Sequence, residues 1–197
     1  RNNNILLQDM KTAITGGIGS GKSYVCRLLS EYGVQVYDCD SAAKRIMRES
    51  AEVRRQLTEA IGEGAYNGNE PDKSYIASFI LASDENAKLV NSVIHPAVAK
   101  DFIASGYDFM ECAILYTSGF DKLVDKIVCV TAPLDVRIDR IMKRNGITKM
   151  KAQEWIDCQM CQEEVAKRSD YVIQNDGKED LNCQIEKILE SVKTGRQ

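Results

Sequence analysis

The chain has 197 residues, 44% of them hydrophobic and 28% charged, with a formal net charge of −3. That length accommodates one domain with small insertions and a sizeable buried core. The acidic balance excludes a general affinity for nucleic acid and no apolar run is long enough to span a bilayer, so an anionic ligand must be met by local clusters of positive charge.

Residues 1–9 are polar and Asn-rich, with only Ile5–Leu7 apolar. They lack the apolar stretch of a secretory signal and are expected to lie outside the fold as a leftover of expression, with Met10 as the natural start. Lys11–Thr15 reads as a short strand, and Gly21–Tyr32 as a helix with Val25, Leu28, Leu29 and Tyr32 on one stripe. Between them stands Gly16-Gly17-Ile18-Gly19-Ser20-Gly21-Lys22-Ser23, which matches the G-x-x-x-x-G-K-[ST] phosphate loop in its strand–loop–helix context. Such a loop aims several backbone N–H groups and the positive end of a helix at phosphate oxygens, and its glycines let the backbone wrap closely around the anion. Lys22 is expected to reach β- and γ-phosphates, and the Ser23 hydroxyl to ligate Mg²⁺. A glycine-rich turn with no ligand is the plain alternative, and the context weighs against it.

Gly33 closes the first helix. Val34–Tyr37 reads as a second buried strand ending at Asp38-Cys39-Asp40, with Ser41 next and a helix from about Ala42. Ligands of open α/β sheets bind beyond the carboxyl ends of the strands, so Asp38 is expected at the same edge as the phosphate loop. A carboxylate there can take the proton of an acceptor hydroxyl facing the γ-phosphate. The simpler reading is that Asp40 or Ser41 caps the next helix, and the two are compatible. Residues 42–62 pattern as an amphipathic helix, 62–72 as a loop rich in Gly, Asn and Glu, and 73–82, 84–93 and 95–106 as three more helices. This block is long for a plain crossover and reads as an inserted subdomain for a second substrate. His95, the only histidine, precedes Pro96, which on the residues alone makes it a helix-capping histidine ahead of a proline at the first helical position.

Phe109–Tyr116 reads as the third strand, followed by a turn at Gly119, and Lys126–Thr131 as the fourth. Pro133 starts a helix on which Arg137, Arg140 and Arg144, spaced i, i+3 and i+7, share one face. A solvated face is the usual explanation of such a charge run. Beside a polyphosphate site, a phosphate clamp explains it equally well. Asn145-Gly146 breaks the helix, and Thr148–Lys167 patterns as a polar helical pair around Trp155. Cys158 and Cys161 form a C-x-x-C there. With seven cysteines in all and no second such pair, free thiols on a helix in a reducing cytoplasm are expected. Tyr171–Ile173 is a short fifth strand, followed by Gln174-Asn175-Asp176-Gly177, and 178–192 is an amphipathic helix. Strands alternating with helices give a parallel α/β sheet. The GTPase strings D-x-x-G and N-K-x-D do not occur. A small-molecule kinase and a non-catalytic ATP-binding module both remain.

In order and spacing, these motifs resemble those of the dephospho-coenzyme A kinases from Met10 to Val192. The residues that carry the resemblance are Thr15–Ser23, Asp38 with Asp40, His95-Pro96, Arg140 and Arg144, Gln159, and Arg168–Asn175. The resemblance implies a cytoplasmic enzyme that uses ATP with Mg²⁺ to phosphorylate the ribose 3′-hydroxyl of dephospho-coenzyme A, with no nucleic-acid or membrane partner. It implies an α/β fold like that of the P-loop nucleoside triphosphate hydrolases, with a parallel five-stranded sheet flanked by helices. The nucleotide core is expected over 10–58, 107–139 and 166–197, a helical acceptor subdomain over 59–106, and a helical lid over 140–165. Carried over residue by residue, Asp38 is the general base, acting with Lys22 and Arg140. Gly17, Ile18, Gly19, Ser20, Gly21, Lys22, Ser23, Tyr24, Arg144 and Asn175 bind ATP. Asp38, Asp40, His95 and Gln159 contact the acceptor. The chain departs from the family at Tyr24, where Thr is usual, at Thr117, where a Glu commonly ends the third-strand run, and at Lys73, where Arg is frequent. Those departures touch binding contacts more than the reaction class, because Lys22, Ser23 and Asp38 are present. A different small-molecule kinase, with a nucleoside or nucleotide acceptor, is the alternative.

Overall fold

The computed structural model describes residues 10–194, so the expectation for residues 1–9 lies outside the described part. In chain order the elements are β1 (Thr12–Thr15), α1 (Lys22–Glu31), β2 (Val36–Asp38), α2 (Cys39–Glu49), α3 (Ala51–Ile61), β3 (Tyr66–Asn67) and β4 (Glu70–Pro71). There follow α4 (Lys73–Ala82), α5 (Asp84–Ser105), β5 (Phe109–Glu111), α6 (Leu115–Ser118), β6 (Lys126–Thr131) and α7 (Leu134–Asn145). The chain ends with α8 (Lys149–Asp157), α9 (Gln162–Lys167), β7 (Tyr171–Gln174) and α10 (Leu181–Thr194). Five strands make one sheet in the order β2-β5-β1-β6-β7, the parallel α/β architecture expected from the alternation of elements. β1 is central, parallel to β5 through Ile14↔Glu111 and to β6 through Thr15↔Cys129.

The chain divides into two compact units, one formed by the chain up to Val36 together with the chain from Tyr107, the other by Tyr37–Gly106. In the first, helices pack on the sheet: β1 is buried along its whole length and β6 from Ile127 to Val130, while β7 is buried only at Ile173. Ile14, Val128, Val130 and Ile173 pack with Val25 and Leu29 of α1 and with Ile185, Leu189 and Val192 of α10. A satellite cluster joins Ile138 and Ile141 of α7 to Ala152 and Ile156 of α8. The second unit is helical around Val53, Leu57, Val90, Val98 and Phe102, with a two-stranded β3–β4 ribbon.

Several boundaries differ from the sequence-based expectations. The second strand begins at Val36, not Val34, because the Val34 N–H is still engaged by the Leu29 carbonyl at the end of α1. The helix expected over 42–62 starts earlier, at Cys39, and is interrupted at Ser50, whose hydroxyl accepts from the Val53 N–H and caps α3. The helices expected on either side of His95 are one, α5, which runs through Pro96. A proline in a helix forfeits one backbone hydrogen bond. Burial of Val90 on one side and of Val98 and Phe102 on the other holds the helix continuous. The third strand ends at Glu111 rather than Tyr116, and Leu115–Ser118 is a helical turn. That apolar run reports burial, which hydrophobicity alone does not convert into strand. Cys158 and Cys161 are not within a helix: the first ends α8 and the second precedes α9, and both thiols are free. No helix among the described residues is long and apolar enough to cross a membrane.

Asp170 pins the β6–β7 register. Its N–H donates to the Ile127 carbonyl, and its carboxylate accepts from the Ile127 N–H and from Lys126 Nζ, each at 2.9 Å. Burial works to raise its pKa, but the Lys126 ammonium and the backbone donor outweigh it and the pKa falls below the usual value. A depressed carboxylate pKa stabilises the fold above the unfolded-state pKa, and that stability is lost as the pH falls through the folded value. Asp170→Asn should therefore lower the melting temperature at pH 7. Melts across a pH series should show the gap to wild type closing below about pH 4, where the unfolded carboxyl protonates.

Candidate active site

The loop from Gly16 to Ser23 leaves β1 and ends at the first turn of α1. It is tightened by a turn in which the Ser20 N–H donates to the Gly17 carbonyl at 3.1 Å. Gly21 precedes α1 in the left-handed region, φ 91°, and a Cβ there would collide with the Asn175 amide. Both the conformation and the close approach therefore require glycine.

The outside of the loop is held by side chains distant in sequence. Arg137 Nε donates to the Ile18 carbonyl at 2.9 Å. Arg140 Nη1 donates to the carbonyls of Gly19 and Ser20 at 3.3 and 3.2 Å, and its Nη2 to the Asn175 carbonyl at 3.0 Å. Asn175 Nδ2 donates to the Ser20 carbonyl at 2.8 Å. Gln159 Oε1 accepts from the Ile18 N–H at 2.7 Å. Three consecutive carbonyls are thus turned toward cations and an amide.

Lys22, Arg137 and Arg140 form no ion pair with any carboxylate among the described residues. Their field is felt at Cys129, whose thiol burial pushes up to about 11 even though Lys22 and Arg137 pull it down. Glu111, at the carboxyl end of β5, accepts from Ser23 Oγ at 3.0 Å. Hydroxyl and carboxylate oxygens are the hard donors that Mg²⁺ takes, so this pair fits a magnesium ion carried in with a nucleotide. No group of three or more His, Cys, Asp or Glu side chains able to hold a metal occurs among the described residues.

The structure brings the loop, Arg140, Asn175 and Gln159 together. Arg144 is directed elsewhere: it is exposed, and its Nε donates to Asn145 Oδ1 at 3.0 Å. The exposed Tyr24 ring lies under the Arg27 guanidinium, 4.9 Å from carbon to centroid. In the helical unit, Asp38 is itself the cap of α2, in place of Asp40 or Ser41. Its Oδ1 accepts from the N–H groups of Asp40 and Ser41, and its Oδ2 from Ser41 Oγ at 2.7 Å. Asp40 is exposed in the first turn of that helix, and His95 is half-buried in α5, where burial lowers its pKa. Thr117 Oγ1 donates to the Ile114 carbonyl within α6 and its flank.

Two residues of the loop's surroundings were not singled out for the site from sequence. Arg137 was legible only as one of three arginines on a helix face. Glu111 could have been found from its place at the carboxyl end of a strand beside β1, the edge at which such sheets bind ligands.

The family model for dephospho-CoA kinase matches residues 10–180. The chain belongs to the dephospho-CoA kinase family. A dephospho-CoA kinase of Bacteroides fragilis is 38% identical over 187 residues, covering 91% of this chain and 91% of the relative. A solved Thermus thermophilus protein superposes with a TM-score of 0.77 at 30% identity, over 92% of this chain and 97% of that one. The dephospho-CoA kinase of Campylobacter jejuni, 19% identical, shares the fold with a TM-score of 0.66 over 95% of this chain and 98% of that one. Membership in this kinase family makes the chain a transferase that uses ATP.

The side chain of Asn175, 6% exposed, ties the loop at Ser20 to the end of β7. Asn175→Ala removes that donor and also the Oδ1 that Arg140 Nη2 reaches at 3.3 Å. Loss of a buried hydrogen-bonded group should cost about 1–3 kcal/mol. Denaturant unfolding should show that loss, and nucleotide titration should show weaker ATP binding in the same variant.

Proposed function

We propose that this protein is a dephospho-CoA kinase that transfers the γ-phosphate of ATP to the ribose 3′-hydroxyl of dephospho-CoA. The observation that carries the reading is the phosphate loop, with its carbonyls turned outward and unpaired cations around it, in a chain of this family. The inward N–H groups and Lys22 bind the β- and γ-phosphates. Phosphoryl transfer depends on positioning and charge neutralisation more than on covalent chemistry. Arg140 steadies the loop and adds positive charge beside it, and Arg144, exposed on the last turn of α7, would turn from Asn145 to meet phosphate. Mg²⁺ bound with ATP would neutralise phosphate charge, and Ser23 and Glu111 are the residues that would hold it.

On this reading the helical segment 59–106 receives the acceptor and 140–165 closes as a lid, excluding water that would otherwise take the phosphoryl group. Asp38 orients the 3′-hydroxyl and receives its proton as the oxygen bonds to phosphorus and ADP departs. Its role as helix cap suits this, because three hydrogen bonds fix the carboxylate in one orientation. Asp40, His95 and Gln159 complete the acceptor side, Asn175 lies toward the adenine, and Tyr24 offers a hydroxyl in the first turn of α1.

A coupled ADP-release assay should show Mg²⁺-dependent turnover that dephospho-CoA stimulates and nucleosides do not. Equal turnover with and without dephospho-CoA would overturn the assignment. Asp38→Asn keeps a capping side chain but cannot take the proton, and general-base removal costs on the order of 10²–10⁴ in rate. It should melt near wild type with kcat down at least roughly a hundredfold, by that same general-base scale, while Asp40→Asn changes kcat far less. Normal turnover with a lowered melting temperature in Asp38→Asn would leave Asp38 as a cap only.

A further inference from the structure

Arg137 stands where a cation is costly. Its side chain is 5% exposed, and burial pushes its guanidinium pKa below the usual value. It is the fourth residue of α7, near the positive end of the helix dipole, which disfavours a cation. No carboxylate lies within ion-pair distance among the described residues. Glu163 contributes to the field at Arg137, but its carboxylate accepts from the Cys161 thiol at 2.6 Å. A buried charge without a partner normally costs several kcal/mol.

The guanidinium is also pressed against the phosphate loop. Nε holds the Ile18 carbonyl, while Gln159 holds the N–H of the same residue. A Cβ on Gly17 would collide with the guanidinium, and one on Gly19 would lie 2.7 Å from the Arg137 carbonyl. Gly17 does not adopt a positive φ, so its own backbone would accept an alanine. The obstacle there is the side chains of Arg137 and Gln159. A neutral amide could donate to the Ile18 carbonyl as well as Arg137 does, without the cost of a buried charge. The charge itself therefore points to an anion at the loop.

We infer that Arg137 is a positioning residue for the phosphate loop and that the polyphosphate of the nucleotide supplies the negative charge its buried guanidinium lacks. This rests on the ATP-binding reading above. The test compares wild type with Arg137→Gln, Arg137→Lys and Arg137→Met, each alone and the last also combined with Gly17→Ala. ATP affinity, KM for ATP, kcat and the nucleotide-free melting temperature are measured for each.

Arg137→Gln should stay folded and melt near wild type, with ATP bound roughly tenfold to a hundredfold more weakly, the range expected when a hydrogen-bonded charge is lost. KM for ATP should rise more than kcat falls, because the loop grips ground state and transition state alike. Arg137→Lys should recover part of the affinity by keeping the charge. Gly17→Ala should weaken ATP binding in the wild-type background and do much less with Arg137→Met, where the colliding group is gone. Wild-type ATP affinity in Arg137→Gln, or a Gly17→Ala defect undiminished by Arg137→Met, overturns the inference. If wild type itself bound no ATP, the functional reading would fail along with it, an outcome distinct from unchanged binding in the variant alone.

Discussion

The structure around the loop depends on where three carbonyls point. A peptide that turns its C=O toward a phosphate repels it, and one that turns its N–H attracts it. Here the carbonyls of Ile18, Gly19 and Ser20 are drawn outward by Arg137, Arg140 and the Asn175 amide. For those groups to be present, α7 must lie along the loop and the end of β7 must reach it. Pairing of β6 with both β1 and β7 brings both there. Glycine is required at position 21 by its positive φ and by the Asn175 amide beside it, and at position 17 a Cβ would press on the Arg137 guanidinium.

The same helix serves two purposes by its periodicity. Ile138 and Ile141 of α7 are buried against Ala152 and Ile156 of α8, while Arg137 and Arg140 face the loop. The apolar face fixes where the arginines stand, so their charge is delivered with little freedom to lose. An acidic chain of net charge −3 can bind a polyphosphate because the relevant field is local. Lys22, Arg137 and Arg140 are concentrated at one edge of the sheet, and no carboxylate among the described residues pairs with them.

Contiguous features were readable from the residues. The phosphate loop acts through its own backbone, so eight adjacent residues between a strand and a helix declare it. The five-strand alternation, the helix break at Gly146 and the amphipathic last helix are local patterns of the same kind. Features that depend on pairing across the chain were not readable. The strand ending at Glu111 was overextended because an apolar run cannot distinguish a buried strand from a buried turn. Pro96 marks a helix start by local rules, yet packing carries α5 through it. Asp38 was expected to close a strand, and the chain folds so that it also caps α2.

The sequence by itself determined the phosphate loop, the parallel α/β class and the motif order that matches the family, because these are written in short-range spacing and backbone preference. Only the tertiary structure decided which groups surround that loop. Gln159 meets Ile18 across 141 residues and Asn175 meets Ser20 across 155. Of three arginines on one helical face, it turns Arg137 and Arg140 to the loop and Arg144 to Asn145. Helical periodicity sets which residues share a face. What that face meets is set by the packing of α7 on the sheet and on α8, a long-range balance that no local pattern encodes.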